Sequence, residues 1–288
     1  MQCSKPIHFG FTQGQGYRTI PCGKCIMCRI KRTNEWTLRM LHELDYHKES
    51  CFITLTYEDD SPNYDGILHK EHLQKFFKRL RKYLGKKRIK YFSCGEYGSD
   101  TLRPHYHAII FGHKFKNDIP LKKGFWRNLD LEKLWKEGFS VIAPCNRLTL
   151  QYVAKYIQKY NSDDSYRQEK FSLISKGIGE RFVKDEGMRI MQIGKLTQGG
   201  TQVSIPRYYL KKLEKFSQED SYAFRYINQI EADKRAKENL EHHSKEEFDY
   251  HKASHEVLDE LKNKVLASRK QKERRYEAKN KFRRAETC

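Results

Sequence analysis

Two histidines separated by one residue are the most chemically informative feature of this sequence. His105 and His107 lie in the stretch 103–112, an apolar, β-rich run that starts near a proline and stops at a glycine, which is typical of a buried strand. Because side chains alternate across a strand, both imidazoles point to the same face. Two imidazoles side by side on a rigid strand can bind a divalent metal ion. A pair of this kind also occurs in purely structural roles.

A carboxylate from the neighbouring strand would complete the site. Residues 88–95 predict a strand that runs into Glu96 and is followed, after a short loop, by the histidine strand. We therefore expect an antiparallel hairpin in which Glu96 faces His105 or His107. One carboxylate and two imidazoles suit Mg²⁺ or Mn²⁺ and leave coordination positions open for phosphate oxygens.

A predicted helix over residues 148–160 carries two further reactive groups. Tyr152 and Tyr156 are four residues apart and share one face, with Lys155 and Lys159 beside them. A tyrosine hydroxyl can attack a phosphodiester and form a covalent protein–DNA ester. Free tyrosine has a pKa of about 10, so the phenol needs help at neutral pH, which either lysine could give. Tyrosines that only pack in a core or on a surface are the ordinary alternative.

The charge of the chain indicates an anionic polymer as partner. The 288 residues include 57 Lys and Arg against 37 Asp and Glu, a net charge of +20, and the excess lies almost entirely in residues 1–215. The 18 Tyr and 16 Phe offer rings on which bases can stack. Nucleic acid is the simplest such partner, although a basic surface also serves solubility alone. Neither glycine cluster has the P-loop spacing, so we do not expect an NTPase.

Four of the eight cysteines follow a metal-ligand pattern. Cys22, Cys25 and Cys28 have the C-x2-C-x2-C spacing and can converge on one ion, with Cys3 completing a structural Zn²⁺ site. The same spacing occurs around iron–sulfur clusters, and ordinary thiols are the remaining alternative. We find no signal-peptide pattern and no run of about 18 apolar residues, so we expect a reducing cytosol and no membrane partner.

The order of these motifs resembles a known family. The chain is similar to the HUH endonucleases, and most closely to the rolling-circle replication initiators of microviruses, small bacteriophages with circular single-stranded DNA, within which it looks like the gokushovirus branch. The resemblance covers about residues 1–215. It is carried by P-C-G-K-C at 21–25 with C-R at 28–29, F-I-T-L-T-Y at 52–57, C-G-E-Y-G at 94–98, R-P-H-Y-H at 103–107, Y-V-A-K-Y at 152–156 and I-P-R-Y-Y at 205–209.

The resemblance implies a fold and a set of residue roles. The fold is α+β, with a central antiparallel sheet flanked by helices and the histidines on a middle strand. The implied metal ligands are Glu96, His105 and His107, and the implied catalytic residues are Tyr152, Tyr156 and Lys155. We assign DNA contacts to Arg103, Lys159 and Arg207. We divide the chain into a Cys-rich segment with a helix (1–50), a nicking–joining domain (51–215) and a charged, mostly helical extension (216–288).

The implied function is that of a rolling-circle replication initiator, a metal-dependent, site-specific nickase with a covalent 5′-phosphotyrosine intermediate. One tyrosine nicks the origin, holds the 5′ end and frees a 3′ hydroxyl for the host polymerase. The other attacks the regenerated junction after one round, and the circle closes. The sequence does not say which acts first. The expected partners are single-stranded origin DNA and the host helicase and polymerase, in the bacterial cytoplasm.

Three other functions can be weighed on the same residues. A plasmid initiator, relaxase or single-strand transposase keeps the chemistry, but the cysteine-rich start and the Y-V-A-K-Y motif favour the phage protein. A non-catalytic single-stranded-DNA-binding protein explains the charge and the aromatic residues but not the Glu and His set. A metal hydrolase or histidine-triad nucleotide-binding protein is disfavoured, because the third alternating histidine would fall at Ile109.

Overall fold

A computed structural model describes residues 3–12, 16–98, 101–116, 118–122, 124–156, 170–215 and 255–285, together with scattered residues between 222 and 242. The chain forms two compact units. The first contains residues 1–32, 188–204 and 210–288, and the second contains residues 33–187 and 205–209. The three-part division made from the sequence stays a prediction.

The elements are named here in chain order. The strands are β1 (Ile7–Thr12), β2 (Gly16–Ile20), β3 (Ser50–Tyr57), β4 (Lys90–Tyr97), β5 (Pro104–Phe111), β6 (Ile119–Lys122), β7 (Phe125–Arg127), β8 (Gly138–Pro144), β9 (Phe171–Ile174), β10 (Leu196–Gln198) and β11 (Thr201–Val203). The helices are α1 (Ile26–Leu44), α2 (Lys70–Leu84), α3 (Leu129–Leu134), α4 (Arg147–Tyr156), α5 (Glu180–Ile193), α6 (Arg207–Leu213) and α7 (His255–Ala285).

A seven-stranded sheet forms the centre of the second unit. Its strand order is β6-β7-β8-β3-β5-β4-β9, and every neighbouring pair is antiparallel. The β1–β2 and β10–β11 hairpins belong to the first unit. The predicted α+β class, with an antiparallel central sheet and flanking helices, is confirmed.

The alternation of side chains on β5 separates two apolar clusters, one on each face of the sheet. Tyr106, Ala108 and Ile110 belong to a cluster that includes residues of α2 and α3. Ile109 and Phe111 belong to the other cluster, which includes residues of α1 and α4. Since His105 and His107 have the parity of Ile109, they lie on the face that α1 and α4 cover.

A buried polar network ties residues 177–179 and 205–209 to the helix α1. The Glu43 carboxylate accepts hydrogen bonds from Lys90 Nζ at 3.0 Å and from the Gly179 backbone N–H at 2.8 Å. Burial raises the pKa of Glu43, but hydrogen bonds from His47, Lys90 and Gly179 outweigh it, so the net pKa is lowered. One helical turn away, His42 Nδ1 lies 2.9 Å from the Tyr209 hydroxyl. The I-P-R-Y-Y motif therefore has a packing role.

Three elements differ from their sequence-based predictions. The helix α1 begins at Ile26, whereas the apolar spacing predicted a start near residue 33. The strand β4 continues to Tyr97, so Glu96 lies within it. Residues 161–215, predicted to be irregular, contain α5 and several short strands in their described part.

The charged extension is helical where it is described, as predicted, and its main element is α7. Among the helices of the described residues, none has the length and apolar character needed to cross a membrane.

Gly138 allows β8 to begin directly beside the end of β3. It pairs with Tyr57 and has a φ of 144°, in the range that favours glycine. A Cβ at this position would overlap the backbone of Tyr57 and Glu58. Backbone atoms of a paired strand cannot move aside as a flexible side chain can.

Gly138→Ala is expected to lower the free energy of unfolding by at least about 2 kcal/mol, since overpacking adds to backbone strain. Gly66→Ala is the matched control, because Gly66 has a φ of 78° but no atom within 4 Å of an added Cβ. Its expected loss is about 1 kcal/mol from strain alone. Urea unfolding measures both values, and equal losses would contradict the packing argument.

Candidate functional site

Two adjacent strands bring a carboxylate and two imidazoles together. In the β4–β5 ladder Glu96 pairs directly with His105, and Cys94 pairs with His107. The predicted hairpin, with Glu96 facing a histidine, is therefore present. Glu96 Oε1 lies 3.0 Å from His105 Nε2 and 2.8 Å from His107 Nε2. The three donor atoms all lie within 4.8 Å of one another, close enough to share one metal ion.

The outer nitrogen of each imidazole is held by another group. His105 Nδ1 lies 3.0 Å from the Arg103 carbonyl oxygen, and His107 Nδ1 lies 3.0 Å from Thr54 Oγ1. A carbonyl oxygen only accepts, so His105 Nδ1 carries a proton and the neutral ring has a lone pair on Nε2. That lone pair faces the Glu96 carboxylate, and the contact is favourable only with a cation or proton between them. The donor set therefore fits a divalent ion.

Glu96 stays ionised although it is only 2% exposed. Burial raises the pKa of this carboxyl, but hydrogen bonds with His105 and His107 outweigh burial, so the net pKa is lowered. A carboxylate, rather than a carboxylic acid, therefore faces the two imidazoles at neutral pH.

The helix α4 presents both tyrosines on one face. Asn146 caps its start, because Asn146 Oδ1 accepts hydrogen bonds from the Leu148 and Thr149 backbone N–H groups. Leu150, Val153 and Ala154 are buried against the sheet. Leu148, predicted to be a core residue, is 75% exposed because it belongs to the first turn.

The Tyr152 hydroxyl lies at the edge of the donor set. It is 3.5 Å from Glu96 Oε1 and 3.4 Å from His107 Nε2, while the Tyr152 side chain is 39% exposed. Burial of the phenol raises its pKa, so Tyr152 is protonated at neutral pH. This hydroxyl can reach both a bound metal ion and an approaching solvent-borne substrate.

Tyr156 lies one turn further along α4 and is less exposed. Its ring stacks on the His107 imidazole with centroids 5.8 Å apart, and it meets the Tyr152 ring edge to face at 4.9 Å. Burial and the hydrogen bond with Tyr152 raise the pKa of Tyr156. The two tyrosines therefore form one unit with His107.

The predicted basic residues have different surroundings. Lys155 is exposed on α4, and Arg207 is exposed at the start of α6. The Arg103 guanidinium donates to the Tyr57 carbonyl oxygen at 2.6 Å and pairs with Asp59, so it orders the loop beside the site. Lys159 lies outside the described residues, as does Tyr160. The DNA contacts of these residues stay predictions.

Two residues of the site were not identified from the sequence. Thr54 holds His107 Nδ1, and the Phe52 ring stacks on the His107 imidazole at 5.5 Å. Both lie on β3, where Thr54 pairs with His107 across the ladder. The alternation of the F-I-T-L-T-Y motif shows that Phe52 and Thr54 share a face, but the sequence does not give the β3–β5 register.

The four predicted cysteine ligands form a second group, within the first unit. The sulfur atoms of Cys3, Cys22, Cys25 and Cys28 all lie within 4.8 Å of one another.

Comparisons with known proteins were made for the whole chain. The profile of a family of replication-associated proteins, the ORF2 type, matches residues 50–161, which contain both histidines and both tyrosines. The replication-associated protein ORF2 of Spiroplasma virus 4 is 30% identical over 71% of this chain and 70% of its own length. The chain belongs to this family of replication-associated proteins. The predicted resemblance to phage replication proteins is thereby confirmed.

Two further phage proteins match a similar share of the chain. The replication-associated protein ORF4 of Chlamydia phage 1 is 31% identical over 70% of this chain and 55% of its own length. The replication-associated protein VP4 of Bdellovibrio phage phiMH2K is 28% identical over 73% of this chain and 76% of its own length. No solved structure matches the chain.

Thr54→Val is expected to weaken Mn²⁺ binding by about tenfold or more, because the variant keeps the shape of Thr54 but leaves His107 Nδ1 without its partner. Thr56→Val is the matched control, since Thr56 has the same strand parity and no hydrogen bond from its hydroxyl to a histidine is found in the described part of the chain. Calorimetric titration of the metal-free protein measures both affinities. Equal affinities for the two variants would contradict a positioning role for Thr54.

Proposed function

We propose that this protein is a rolling-circle replication initiator that nicks and rejoins single-stranded DNA at a phage origin through a covalent tyrosine intermediate. The observation that carries the proposal is the position of the Tyr152 hydroxyl, 3.4–3.5 Å from a His107 nitrogen and a Glu96 oxygen. A metal-binding set alone fits many hydrolases. A phenol placed beside it is what covalent phosphodiester chemistry requires.

The donor set of Glu96, His105 and His107 would hold Mg²⁺ or Mn²⁺. When bound, the ion supplies Lewis-acid polarisation of the scissile phosphate and stabilises the negative charge that develops on its oxygens. The Arg103 carbonyl and the Thr54 hydroxyl fix the orientation of the two imidazoles, so the site is organised before substrate arrives.

The nicking step exchanges one phosphodiester for another. The Tyr152 oxygen attacks phosphorus, a tyrosine–phosphate bond forms, and the bond from phosphorus to the DNA 3′ oxygen breaks. The phenolic proton leaves and the departing 3′ oxygen gains one. Because burial raises the pKa of Tyr152, the phenol loses its proton during the attack rather than beforehand. The exposed ammonium of Lys155, on the same helix, is available to a neighbouring phosphate.

Tyr156 provides a second nucleophile for the joining half of the cycle. After one round of synthesis its hydroxyl attacks the regenerated junction, and the released 3′ hydroxyl attacks the first phosphotyrosine and closes the circle. The edge-to-face packing of the two rings keeps both hydroxyls at one site, so the second transfer needs no movement of a domain. Use of a tyrosine rather than water conserves the phosphodiester bond for that transfer.

The proposed setting is a bacterial cytoplasm. The partners are single-stranded origin DNA, the host polymerase that extends the 3′ hydroxyl, and a host helicase. The net charge of +20 supports DNA binding, with Arg103, Lys159 and Arg207 as candidate contacts. The printed names of the relatives, all replication-associated proteins of phages, favour this role over a plasmid initiator, relaxase or transposase.

Tyr152→Phe is expected to slow the first covalent attachment to labelled origin DNA by about a hundredfold or more, because the attacking oxygen is removed. Tyr156→Phe keeps the ring that packs on His107, so initial attachment should stay within about tenfold of wild type, the effect of one neutral hydrogen bond. Denaturing gels with Mn²⁺ measure the label that remains on the protein. Undiminished attachment in the Tyr152→Phe, Tyr156→Phe double variant would move the nucleophile elsewhere, with Tyr160 next to test.

The His107→Ala variant separates catalysis from binding. It should form no covalent product and yet bind the same DNA with affinity close to wild type, because phosphate contacts dominate that affinity. Tight binding by wild type without any covalent product, on every origin-like sequence tried, would favour a non-catalytic single-stranded-DNA-binding protein.

A further inference from the structure

The four cysteines of the first unit have the spacing of a single tetrahedral ion. Cys3 Sγ lies 3.5 Å from Cys22 Sγ and 3.8 Å from Cys25 Sγ, and each of the three is a free cysteine. With zinc–sulfur bonds of about 2.3 Å, the edges of a tetrahedral site are about 3.8 Å long. An iron–sulfur cluster places several atoms between its thiolates and needs wider separations than these. The geometry therefore favours a mononuclear centre.

Backbone and side-chain groups around the cysteines suit thiolate ligands. The Cys22 backbone N–H donates to Cys3 Sγ, and the Cys25 backbone N–H donates to Cys22 Sγ, each at 3.3 Å. A divalent ion with four thiolates has a net charge of −2. The Arg269 guanidinium interacts electrostatically with Cys3, so one positive side chain already lies where that charge would be.

The helix α7 contacts this cysteine group through one narrow face. Leu261, Val265, Arg269 and Glu273 follow at steps of four, and each is at least partly buried, whereas most other described side chains of α7 are exposed. Glu273 is 8% exposed, and its Oε1 accepts a hydrogen bond at 3.0 Å from the backbone N–H of Ile26. A carboxylate at this position caps α1 and complements its dipole.

The adjacency of these contacts links the cysteines to the C-terminal helix. Ile26 directly follows Cys25 and is the first residue of α1, so the groove that receives Glu273 is made by the cysteine loop itself. The apolar contribution to this docking is small, since one cluster on α7 consists of Leu240, Leu261 and Val265 with Leu258. A loop of this kind needs another source of rigidity.

We propose that Cys3, Cys22, Cys25 and Cys28 bind one structural Zn²⁺ ion, and that this ion holds the cysteine loop in the conformation on which α7 docks. The site gives the N-terminal segment and the C-terminal extension a common anchor. It is independent of the nicking chemistry, since it uses none of the residues assigned to that reaction.

Metal analysis of the purified full-length protein tests the site. Wild type and the His105→Ala, His107→Ala double variant should each retain one zinc ion per chain after dialysis. The Cys22→Ser, Cys25→Ser double variant should retain less than a tenth of that amount. Cys145→Ser is the matched control, a free cysteine outside the group that should leave the zinc content unchanged. Zinc that persists in the double serine variant, or iron with sulfide in wild type, would overturn the proposal.

A second measurement needs no variant and so does not depend on whether the serine protein folds. Wild type loaded with Co²⁺ in place of zinc should give intense sulfur-to-cobalt charge-transfer absorption and the visible bands of a tetrahedral ion. A weak, octahedral cobalt spectrum would overturn the four-thiolate site.

Hydrogen exchange tests the docking of α7. Removal of the metal with a chelator should speed amide exchange severalfold in residues 255–285 and leave exchange in α2 of the second unit unchanged. Glu273→Ala should speed exchange in α7 while zinc remains bound. Unchanged exchange in α7 after complete loss of zinc would overturn the docking role.

Discussion

The shared hydrogen bonding of Glu96 with two imidazoles is the interaction on which the candidate site depends. A buried carboxylate oxygen lies 3.0 Å or less from two ring nitrogens, one of which is the unprotonated nitrogen of a neutral ring. Such an arrangement is stable only when a positive charge lies among the three atoms. The site is therefore built for a cation, and the surrounding hydrogen bonds to Arg103 and Thr54 serve to keep the rings turned toward it.

Antiparallel pairing of three central strands makes this arrangement possible. The strand β5 lies between β3 and β4, so His107 has Thr54 on one side and the strand of Glu96 on the other. Both neighbours lie on the face that α4 covers, and α4 adds the two tyrosines. Ligands, orienting groups and nucleophiles thus come from rigid elements rather than loops, and a rigid frame holds reacting groups near productive geometry.

Local patterns predicted much of the fold and the donor set, and long-range contacts explain what they missed. The alternation around His105 and His107 and the short turn after Glu96 were enough to place three donors on one face, because both depend on neighbouring residues. Thr54 could not be recognised as the partner of His107, since that requires the register of two strands about fifty residues apart. The start of α1 was missed for the same reason. Its cap is Glu273, which is 247 residues away in the sequence.

Identification of the residue that carries DNA tests the central claim most directly. Wild type would be incubated with origin DNA and Mn²⁺ or with a chelator, then digested with nuclease and trypsin and analysed by mass spectrometry. Cleavage after Lys155 separates Tyr152, in peptide 148–155, from Tyr156, in peptide 156–159. We expect a nucleotide phosphate on Tyr152, with or without Tyr156, only when the metal is present. A modification on another residue, or one that forms equally with chelator, would contradict the account.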